Sequence, residues 1–374
     1  MPSSPLTQEQ IAARRALRRQ RRARRRRLVV GLGVCALVAL AVGVVVGRGG
    51  DGPASAAVTP PAAAADYSPV KRAPAQASPA APTRSRLGSG KPVTLAFGGD
   101  IHFESPIRER LAASPADVLA PIAPVLSRAD VSVVNLETAV TDRGSPAGKE
   151  FTFRAPTSAF DALAAGGVDV ANLANNHGFD QGPQGLLDSI ENLRRAGIVP
   201  IGAGASQEEA DAPAYVQVKG WTIGLVGVGE VTDPDSQVAN GDEIGTSVGH
   251  DFSRALGAIR EAAANADLVI VAIHWGVELD TQPRGYQVEE GHRMIEAGAD
   301  LIFGSHAHRL QPMDTYEGKP IFYGLGNFVW PRFSAEGSTT GVAQVVVRPD
   351  GSIRGRLLPA TIVSDGHPVL NASG

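Results

Sequence analysis

Short apolar runs recur along the chain from residue 91 onward, and most of them carry few polar residues. Such runs are typical of strands that are buried on both faces of a sheet. The predicted strands are Val93–Phe97, Val131–Val134, Val168–Leu173, Trp221–Val226, Leu268–Ile273, Leu301–Phe303 and Ile321–Tyr323. Two hairpins are also predicted, Tyr215–Val218 with Trp221–Val226 and Val342–Val347 with Ile353–Leu358.

Helical patterns fill several of the gaps between these strands. The predicted helices are Pro115–Arg128, Ser158–Ala165, Pro183–Ala196, Asp251–Ala264 and Gln287–Ala297. Gly166 and Gly197 are predicted to end two of them. Alternating strands and helices predict an α/β domain over residues 91–374. The mixture of crossovers and hairpins favours two mixed β-sheets flanked by helices over a simple doubly wound sheet.

The first 90 residues are predicted to anchor the chain in a membrane. Ten of the 35 basic residues are arginines between Arg14 and Arg27, and Glu9 is the one acidic residue beside them. The uncharged stretch Leu28–Gly47 reaches roughly 30 Å as a helix, which matches a bilayer core. Because positive charge stays on the cytoplasmic side, we predict a cytoplasmic Arg-rich tail (1–27), one transmembrane helix (28–47) and a disordered Ala/Pro linker (48–90).

This arrangement predicts a single-pass protein of the cell membrane with its C-terminal domain outside the cytoplasm. Residues 1–47 are expected to contact membrane lipids, and their position against the bilayer favours anionic headgroups over a nucleic acid. Signal-peptidase cleavage near Ala54-Ser55-Ala56 and twin-arginine export are the alternatives to a permanent anchor. The only cysteine, Cys35, lies inside the predicted span, so the exported part has no disulfide.

The charge of the remaining chain limits its partners. Outside the first 27 residues, 25 basic residues face 37 of the 38 acidic ones, so this part is acidic. An acidic body argues against tight binding of a polyanion except at bound metals and a few arginines.

Ligand-type side chains follow the predicted strands at the points where the apolar runs end. The phrases are Asp100-Ile101-His102, Asn135-Leu136-Glu137, Asn175-Asn176-His177, His274-Trp275-Gly276 and Gly304-Ser305-His306-Ala307-His308. Because the carboxyl ends of parallel strands meet at one edge of an α/β sheet, we expect these side chains to converge. Carboxylate, imidazole and amide groups in this number suit two divalent metal ions. Nitrogen and oxygen ligation without sulfur suits Mn, Fe, Zn or Co.

These motifs resemble those of the calcineurin-like metallophosphoesterase superfamily, and within it the CapA family of capsule and poly-gamma-glutamate synthesis proteins. The resemblance runs from about Lys91 to about Phe328. Its phrases are Gly-Asp-Ile-His at 99–102, Asn-Leu-Glu-Thr at 135–138, Asn-Asn-His at 175–177, His-Trp-Gly-Val-Glu at 274–278, Gly-Ser-His-Ala-His at 304–308 and Tyr-Gly-Leu-Gly-Asn-Phe at 323–328. The resemblance implies a calcineurin-like sandwich of two mixed β-sheets flanked by helices.

The resemblance also implies a set of metal ligands. The expected ligands of one ion are Asp100, His102 and His308, and those of the other are Asn176, His274 and His306. Glu137 is expected to bridge the two ions, in the place where the wider superfamily usually has aspartate.

A proton donor is implied next to this centre. His177 matches the histidine that protonates the leaving group or steadies the transition state. Gly178 stands where an acidic residue commonly follows that histidine, and Asp180 is the candidate to orient His177 instead. If neither position supplies that acid, help from a general acid is weakened.

Three further residues are predicted to bind substrate. Arg154 can hold a phosphate or a polymer carboxylate by a bidentate fork, with a role in bracing its own loop as the alternative. Glu278, close to His274, is predicted to face the substrate or to support the ligands. Asn327 is predicted to face the pocket, with capping of a turn as the alternative.

These expectations lead to three hypotheses about function. The preferred one is a membrane-anchored CapA-like protein with a dinuclear, phosphoesterase-like site, which acts beside polymer synthase or export subunits in making or exporting an anionic polymer such as poly-gamma-glutamate. The second is a non-catalytic scaffold in which the metals order the loops or bind polymer carboxylates. The third is a metal-dependent amide hydrolase that acts on the polymer.

Overall fold

Two mixed β-sheets stack on each other and carry helices on their outer faces. The structure is a computed structural model that describes residues 84–231, 238–247 and 251–371. The predicted tail, transmembrane helix and most of the predicted linker therefore lie outside the described residues. Within the described part of the chain, no helix is both long enough and apolar enough to cross a membrane.

The strands of the described residues are β1 (Val93–Ile101), β2 (Val131–Leu136), β3 (Ala139–Val140), β4 (Arg154–Ala155), β5 (Val170–Asn172), β6 (Val199–Ile201), β7 (Ala203–Gly204), β8 (Ala214–Val218), β9 (Trp221–Gly229), β10 (Gly245–Thr246), β11 (Leu268–His274), β12 (Leu301–Ser305), β13 (Met313–Tyr316), β14 (Lys319–Phe322), β15 (Asn327–Val329), β16 (Thr339–Val347), β17 (Ile353–Ile362) and β18 (Pro368–Leu370).

The α-helices of the same residues are α1 (Ile107–Ala113), α2 (Ala123–Leu126), α3 (Ser158–Ala165), α4 (Gly182–Arg195), α5 (Gln207–Asp211), α6 (Phe252–Asn265), α7 (Gly285–Ala297) and α8 (Ala335–Ser338). Short 3-10 segments occur at Arg84–Gly90 and Pro115–Asp117. The first of these belongs to the predicted linker, and its Leu87 packs against the core.

The first sheet has the strand order β18-β17-β16-β1-β2-β5-β6, with β15 also paired to β1. In it β1, β2, β5 and β6 run parallel, while β16, β17 and β18 are joined by antiparallel ladders. The second sheet has the order β13-β14-β12-β11-β9-β8, with parallel strands in its centre and antiparallel strands at both edges. The pair of mixed sheets and both predicted hairpins are thus confirmed.

Successive side chains of a strand point to opposite faces of its sheet, so each strand contributes to two hydrophobic layers. In β11, Leu268, Ile270 and Ala272 face the core between the two sheets, while the intervening residues face the helices on the outside. Phe97 of β1 and Phe303 of β12 meet in that core with ring centroids 4.2 Å apart. Buried side chains of α1, α3 and α4 cover the outer face of the first sheet, and those of α6 and α7 cover the second.

The predicted helix Pro115–Arg128 is wrong. The structure has a 3-10 turn at Pro115–Asp117 and then the single turn of α2. In a continuous helix, Pro121 and Pro124 would supply no N–H for hydrogen bonding, and their rings would clash with the preceding turn. Pro124 fits because it lies in the first turn of α2, where no intrahelical bond is required of it.

Glycines end the two helices for which a stop was predicted, with a shift of one residue in one case. Gly197 follows α4 with φ +79°. After α3 the left-handed residue is Gly167, with φ +76°, and Gly166 keeps a helical φ of −70°. Glycine adopts a positive φ without strain, so Gly167 and Gly197 mark the ends of α3 and α4.

Phe97→Ala is expected to lower the free energy of unfolding by about 3–5 kcal/mol, because it opens a cavity between the two sheets. Phe333→Ala is the control, since that ring is 82% exposed, and it is expected to change stability by less than about 0.5 kcal/mol. Chemical denaturation of the purified variants measures both. Similar losses in the two variants would contradict the assignment of Phe97 to the core between the sheets.

Candidate metal centre

The predicted ligands lie at the carboxyl ends of parallel strands from both sheets. From the first sheet come Asp100 in β1, Glu137 just after β2 and Asn176 after β5; from the second come His274 at the end of β11 and His306 and His308 after β12. These ends meet at one edge of the stacked sheets. The convergence expected from the strand pattern is therefore present for these six residues.

Asn135 of β2 joins the ligands to one another. Its Nδ2 donates to Oδ1 of Asp100 at 2.9 Å and lies 3.2 Å from Nδ1 of His274. Its Oδ1 accepts from the amides of Asn172 and Asn175, each at 3.2 Å. Because a buried amide must satisfy both of its ends, Asn135 fixes the relative positions of the strands that carry the ligands.

The backbone around the site is shaped for close approach. A Cβ at Gly99 would lie 1.9 Å from the carbonyl oxygen of Gly326, and that oxygen accepts the backbone N–H of Asp100 at 2.9 Å. His306 and His308 have φ values of +89° and +53°, which non-glycine residues rarely adopt. Strain of this kind is typical of functional sites, and here it accompanies the placement of both rings at the ends of the strands.

Among the residues that the structure describes, three groups of carboxylate and imidazole atoms lie close enough to share a cation. The groups are Glu137 with His274 and His306, Asp100 with Glu137 and His308, and Glu278 with His306 and His308; within each, the ligand atoms lie within 4.8 Å of one another. Glu137 belongs to two of them: its Oε1 is 3.6 Å from Nε2 of His274 and 3.7 Å from Nε2 of His308. This is the geometry that a bridging carboxylate needs.

Other contacts orient the ligands. Oδ1 of Asn176 lies 2.8 Å from Nε2 of His274, so this amide oxygen reaches the group that contains His274, Glu137 and His306. Oγ of Ser305 lies 2.9 Å from Nδ1 of His274 and holds the ring from its other side. Nδ1 of His308 is 3.2 Å from Oδ2 of Asp100. A ligand ring that is held at one nitrogen presents the other in a fixed direction.

Unsatisfied atoms show that the residues fit a cation. Oε1 of Glu137 and Nδ1 of His306 have no hydrogen-bond partner, although both side chains are buried. A buried polar atom without a partner costs about 1–3 kcal/mol. A divalent ion that binds oxygen and nitrogen satisfies both atoms, and the absence of sulfur among these ligands suits Mn, Fe, Zn or Co.

Burial controls the charge of the site. It raises the pKa of Glu137 well above the usual carboxyl range, and the nearby charges of Asp100 and Glu278 add to the shift. Burial likewise lowers the pKa of His274 well below 6.5 and that of His306 to about 4, with further lowering by the neighbouring histidines. Neutral imidazoles have free lone pairs, so the histidines are ready to bind a metal.

His102 is not brought into these groups, although the resemblance implied that it binds metal with Asp100 and His308. Its Nδ1 accepts the backbone N–H of Glu104 at 3.0 Å, which leaves Nε2 free of that bond. Its ring meets that of Trp330 edge-on with centroids 3.8 Å apart, and it is tilted by 31° against the ring of Phe153 with centroids 4.6 Å apart. Burial, and then the charges of His308 and His177, lower the pKa of His102 well below 6.5.

The acid that contacts His177 is Asp180. Its Nδ1 lies 2.7 Å from Oδ2 of Asp180, which also accepts the backbone N–H of Phe153. The ring of Phe153 stacks on that of His177 with centroids 4.1 Å apart. Burial lowers the pKa of His177, and Asp180 opposes this shift. With Nδ1 bound to Asp180, Nε2 is the nitrogen left to exchange a proton.

Lys149 is the residue of this site that sequence reasoning missed. Its Nζ lies 2.6 Å from Oδ1 of Asp180 and 3.4 Å from Nδ1 of His177, and it donates to the carbonyl oxygen of Asn176. The lysine side chain is only 5% exposed. Nothing in its surroundings of glycine, proline and charged residues marks it as buried, because lysine is almost always exposed.

The predicted substrate-binding residues have different surroundings. Nε of Arg154 donates to the carbonyl oxygen of Thr141 at 2.8 Å, which is a loop-bracing contact. Glu278 is exposed and lies with His306 and His308. Asn327 is buried opposite Asp100 in the β1–β15 ladder, and its Nδ2 donates to the carbonyl oxygen of Gly337 at 3.0 Å.

The comparisons with known proteins agree on one family. The sequence model of the family described as bacterial capsule synthesis protein PGA_cap matches residues 94–332. The PGA biosynthesis protein CapA of Bacillus subtilis is 30% identical over 274 residues, which are 72% of each chain. The capsule biosynthesis protein CapA of Bacillus anthracis is 30% identical over 302 residues, 77% of this chain and 71% of that protein.

A further relative matches a shorter part of the chain, and two solved structures share little sequence with it. A probable polyglutamine synthesis accessory protein of Mycobacterium tuberculosis is 35% identical over 210 residues, 54% of this chain and 55% of its own. The NAD nucleotidase of Haemophilus influenzae aligns with a TM-score of 0.42 at 14% identity, over 76% of this chain and 60% of that one. The protein TT1561 of Thermus thermophilus aligns with a TM-score of 0.39 at 10% identity, over 71% of this chain and 99% of that one.

Lys149→Met is expected to lower the free energy of unfolding of the metal-free protein by about 3–5 kcal/mol, because it leaves the buried carboxylate of Asp180 without its cation. The double variant Lys149→Met/Asp180→Asn removes both charges and is expected to recover at least about 1 kcal/mol relative to the sum of the single effects. Denaturant titration of the four proteins measures this coupling. Simple additivity would show that the two charges do not stabilise each other.

Metal affinity is expected to fall with decreasing pH by about tenfold per pH unit while one proton is displaced. The sign follows from Glu137: because its pKa is raised, this group keeps its proton up to a higher pH than an ordinary carboxyl group, and a metal ion must expel that proton wherever it is still bound. His306, with a pKa of about 4, competes with the ion only near or below that pH. Mn²⁺ titrations between pH 5 and 8 measure the slope. An Mn²⁺ affinity that stays constant between pH 5 and 8 would contradict the displacement of a proton from Glu137.

Proposed function

The chain belongs to the family of bacterial capsule synthesis proteins described as PGA_cap, and we propose that it uses a dinuclear metal centre for phosphoesterase-like chemistry in making or exporting an anionic polymer such as poly-gamma-glutamate. The names of the relatives support the polymer pathway. The residues at the strand ends support the chemistry. The calcineurin-like character of the fold is part of this proposal and rests on the motifs at those strand ends.

One observation carries the proposal: Glu137 is buried between two groups of ligands and its Oε1 has no hydrogen-bond partner. A carboxylate held in this way fits a position between two ions. The ligand groups on either side contain Asp100 and His308 in one case and His274 and His306 in the other. Asn176 adds an amide oxygen at 2.8 Å from His274.

The residues divide the work of hydrolysis between them. When bound, two divalent ions supply electrostatic stabilisation of a phosphoryl group and of the water that attacks it. Asp180 holds Nδ1 of His177, so that Nε2 is free to give a proton to the departing oxygen. Phe153 stacks on the same ring and limits its rotation. Lys149 balances the charge of Asp180, which keeps that carboxylate in place.

We further propose that the domain is held at the outer face of the cell membrane beside synthase or export subunits. The sequence features of residues 1–47 support this part: an arginine block directly before twenty uncharged residues. Because an anchored domain stays close to a polymer that is extruded through the same membrane, anchoring raises its effective concentration there.

His177→Ala is expected to lower kcat on a generic phosphodiester by about 10²–10⁴-fold, because the leaving oxygen loses its proton donor. The protein is purified at full length and loaded with Mn²⁺ before assay. His292→Ala is the matched control, since this ring stacks on Tyr316 with centroids 3.8 Å apart and belongs to none of the three groups of ligand atoms, and it is expected to leave kcat unchanged.

The same assay separates the competing functions. Negligible turnover in the wild type and in His177→Ala alike favours a non-catalytic scaffold. Shortening of poly-gamma-glutamate without turnover of the phosphodiester favours an amide hydrolase. Either result would overturn the phosphoesterase proposal.

A further inference from the structure

The loop after β11 is bound to the loop after β12. The backbone N–H of Trp275 donates to the carbonyl oxygen of Ser305 at 3.3 Å, and that of Leu279 donates to the carbonyl oxygen of Ala307 at 2.8 Å. The second bond lies between His306 and His308 in sequence. The two loops therefore run side by side, and Glu278 lies between the two points of attachment.

The backbone of the first loop adopts unusual conformations at both sides of Glu278. Gly276 has φ +91°, and Leu279 has φ +68°, a left-handed value that costs a leucine energy. The surrounding structure must over-determine such a residue for it to persist. Here the hydrogen bond from Leu279 to Ala307 supplies part of that constraint. The loop conformation keeps Glu278 close to the histidine loop.

The carboxylate of Glu278 lies within reach of two imidazoles. Its ligand atom and those of His306 and His308 are all within 4.8 Å of one another. His306 is 5% exposed and its Nδ1 has no hydrogen-bond partner. A buried ring nitrogen without a hydrogen-bond partner is an independent sign that a ligand binds at His306. Glu278 alone does not supply that partner.

Charge gives a reason for a third carboxylate. Two divalent ions carry four positive charges, and Asp100 and Glu137 neutralise two of them. The histidines and Asn176 contribute none. A further carboxylate on the solvent side lowers the remaining charge without the desolvation cost that a buried group would add, because Glu278 is exposed.

We propose that Glu278 is a metal ligand: together with His306 and His308 it forms the solvent-facing side of the metal centre and binds a divalent cation that accepts nitrogen and oxygen ligands. This inference rests on the metal centre of the proposed function and assigns to Glu278 a role other than direct substrate binding. Since it lies on an exposed loop, Glu278 is also the ligand that an anionic substrate displaces most easily.

Mn²⁺ binding to the purified full-length chain tests this inference, by calorimetric titration and by electron paramagnetic resonance of the bound ion. Glu278→Gln keeps the size of the side chain and removes the charge. It is expected to weaken one class of Mn²⁺ sites by about tenfold or more and to change the spectrum of the bound ion. Glu261→Gln, on the exposed side of α6, is the matched control and is expected to match the wild type. The thermal midpoint of the metal-free Glu278→Gln protein is expected to be unchanged, because the side chain is exposed.

The outcomes distinguish the two levels of the proposal. If the wild type binds no Mn²⁺, Zn²⁺ or Co²⁺, the metal centre itself fails, and the inference fails with it. If the wild type binds metal and Glu278→Gln binds it equally well with the same spectrum, the metal centre stands and the role of Glu278 as a ligand is refuted. A raised KM with unchanged metal binding would likewise refute it and return Glu278 to the substrate.

Discussion

The burial of two carboxyl groups where the ends of the two sheets meet is the constraint on which the rest of this structure depends. Asp100 and Glu137 are fully buried, and the imidazoles of His274 and His306 beside them are neutral at ordinary pH because burial lowers their pKa. Such a cluster contains more hydrogen-bond acceptors than hydrogen-bond donors. Asn135 satisfies part of it, and Oε1 of Glu137 remains without a partner. A cation bound by these atoms would complete their interactions, and its binding would then be coupled to the local fold.

A second buried carboxylate in the same region has the opposite character. Asp180 is also fully buried, but the chain itself supplies its partners: Nζ of Lys149, the backbone N–H of Phe153 and Nδ1 of His177. No cation from solution is needed to hold it. The two kinds of buried carboxyl group therefore suit different roles. A carboxylate without a positive partner among the described residues, such as that of Glu137, suits a metal ion, whereas Asp180, which has such a partner, suits the orientation of a histidine.

The sequence determined the architecture wherever the pattern of apolar residues reflects burial on both faces. The run Leu268–Ile273 predicted β11 almost to the residue, since every side chain of that run is buried in one core or the other. The same reasoning failed for Pro115–Arg128, because apolar spacing alone does not register that Pro121 and Pro124 interrupt the hydrogen bonding of a helix. The sequence also determined that ligand-type residues end several strands, and parallel strands bring such ends to one edge.

Tertiary structure alone decided how those residues are used. Lys149 lies on an irregular loop far in sequence from Asp180, and only folding reveals that the two charges are buried together. Asn135 was visible as part of a motif, but its role in joining Asp100, His274 and two other asparagines depends on distances across both sheets. Glu278 owes its position to a backbone bond between two loops. A sequence specifies which groups can interact, whereas the packing of separate strands and loops determines the few ångströms that decide whether they do.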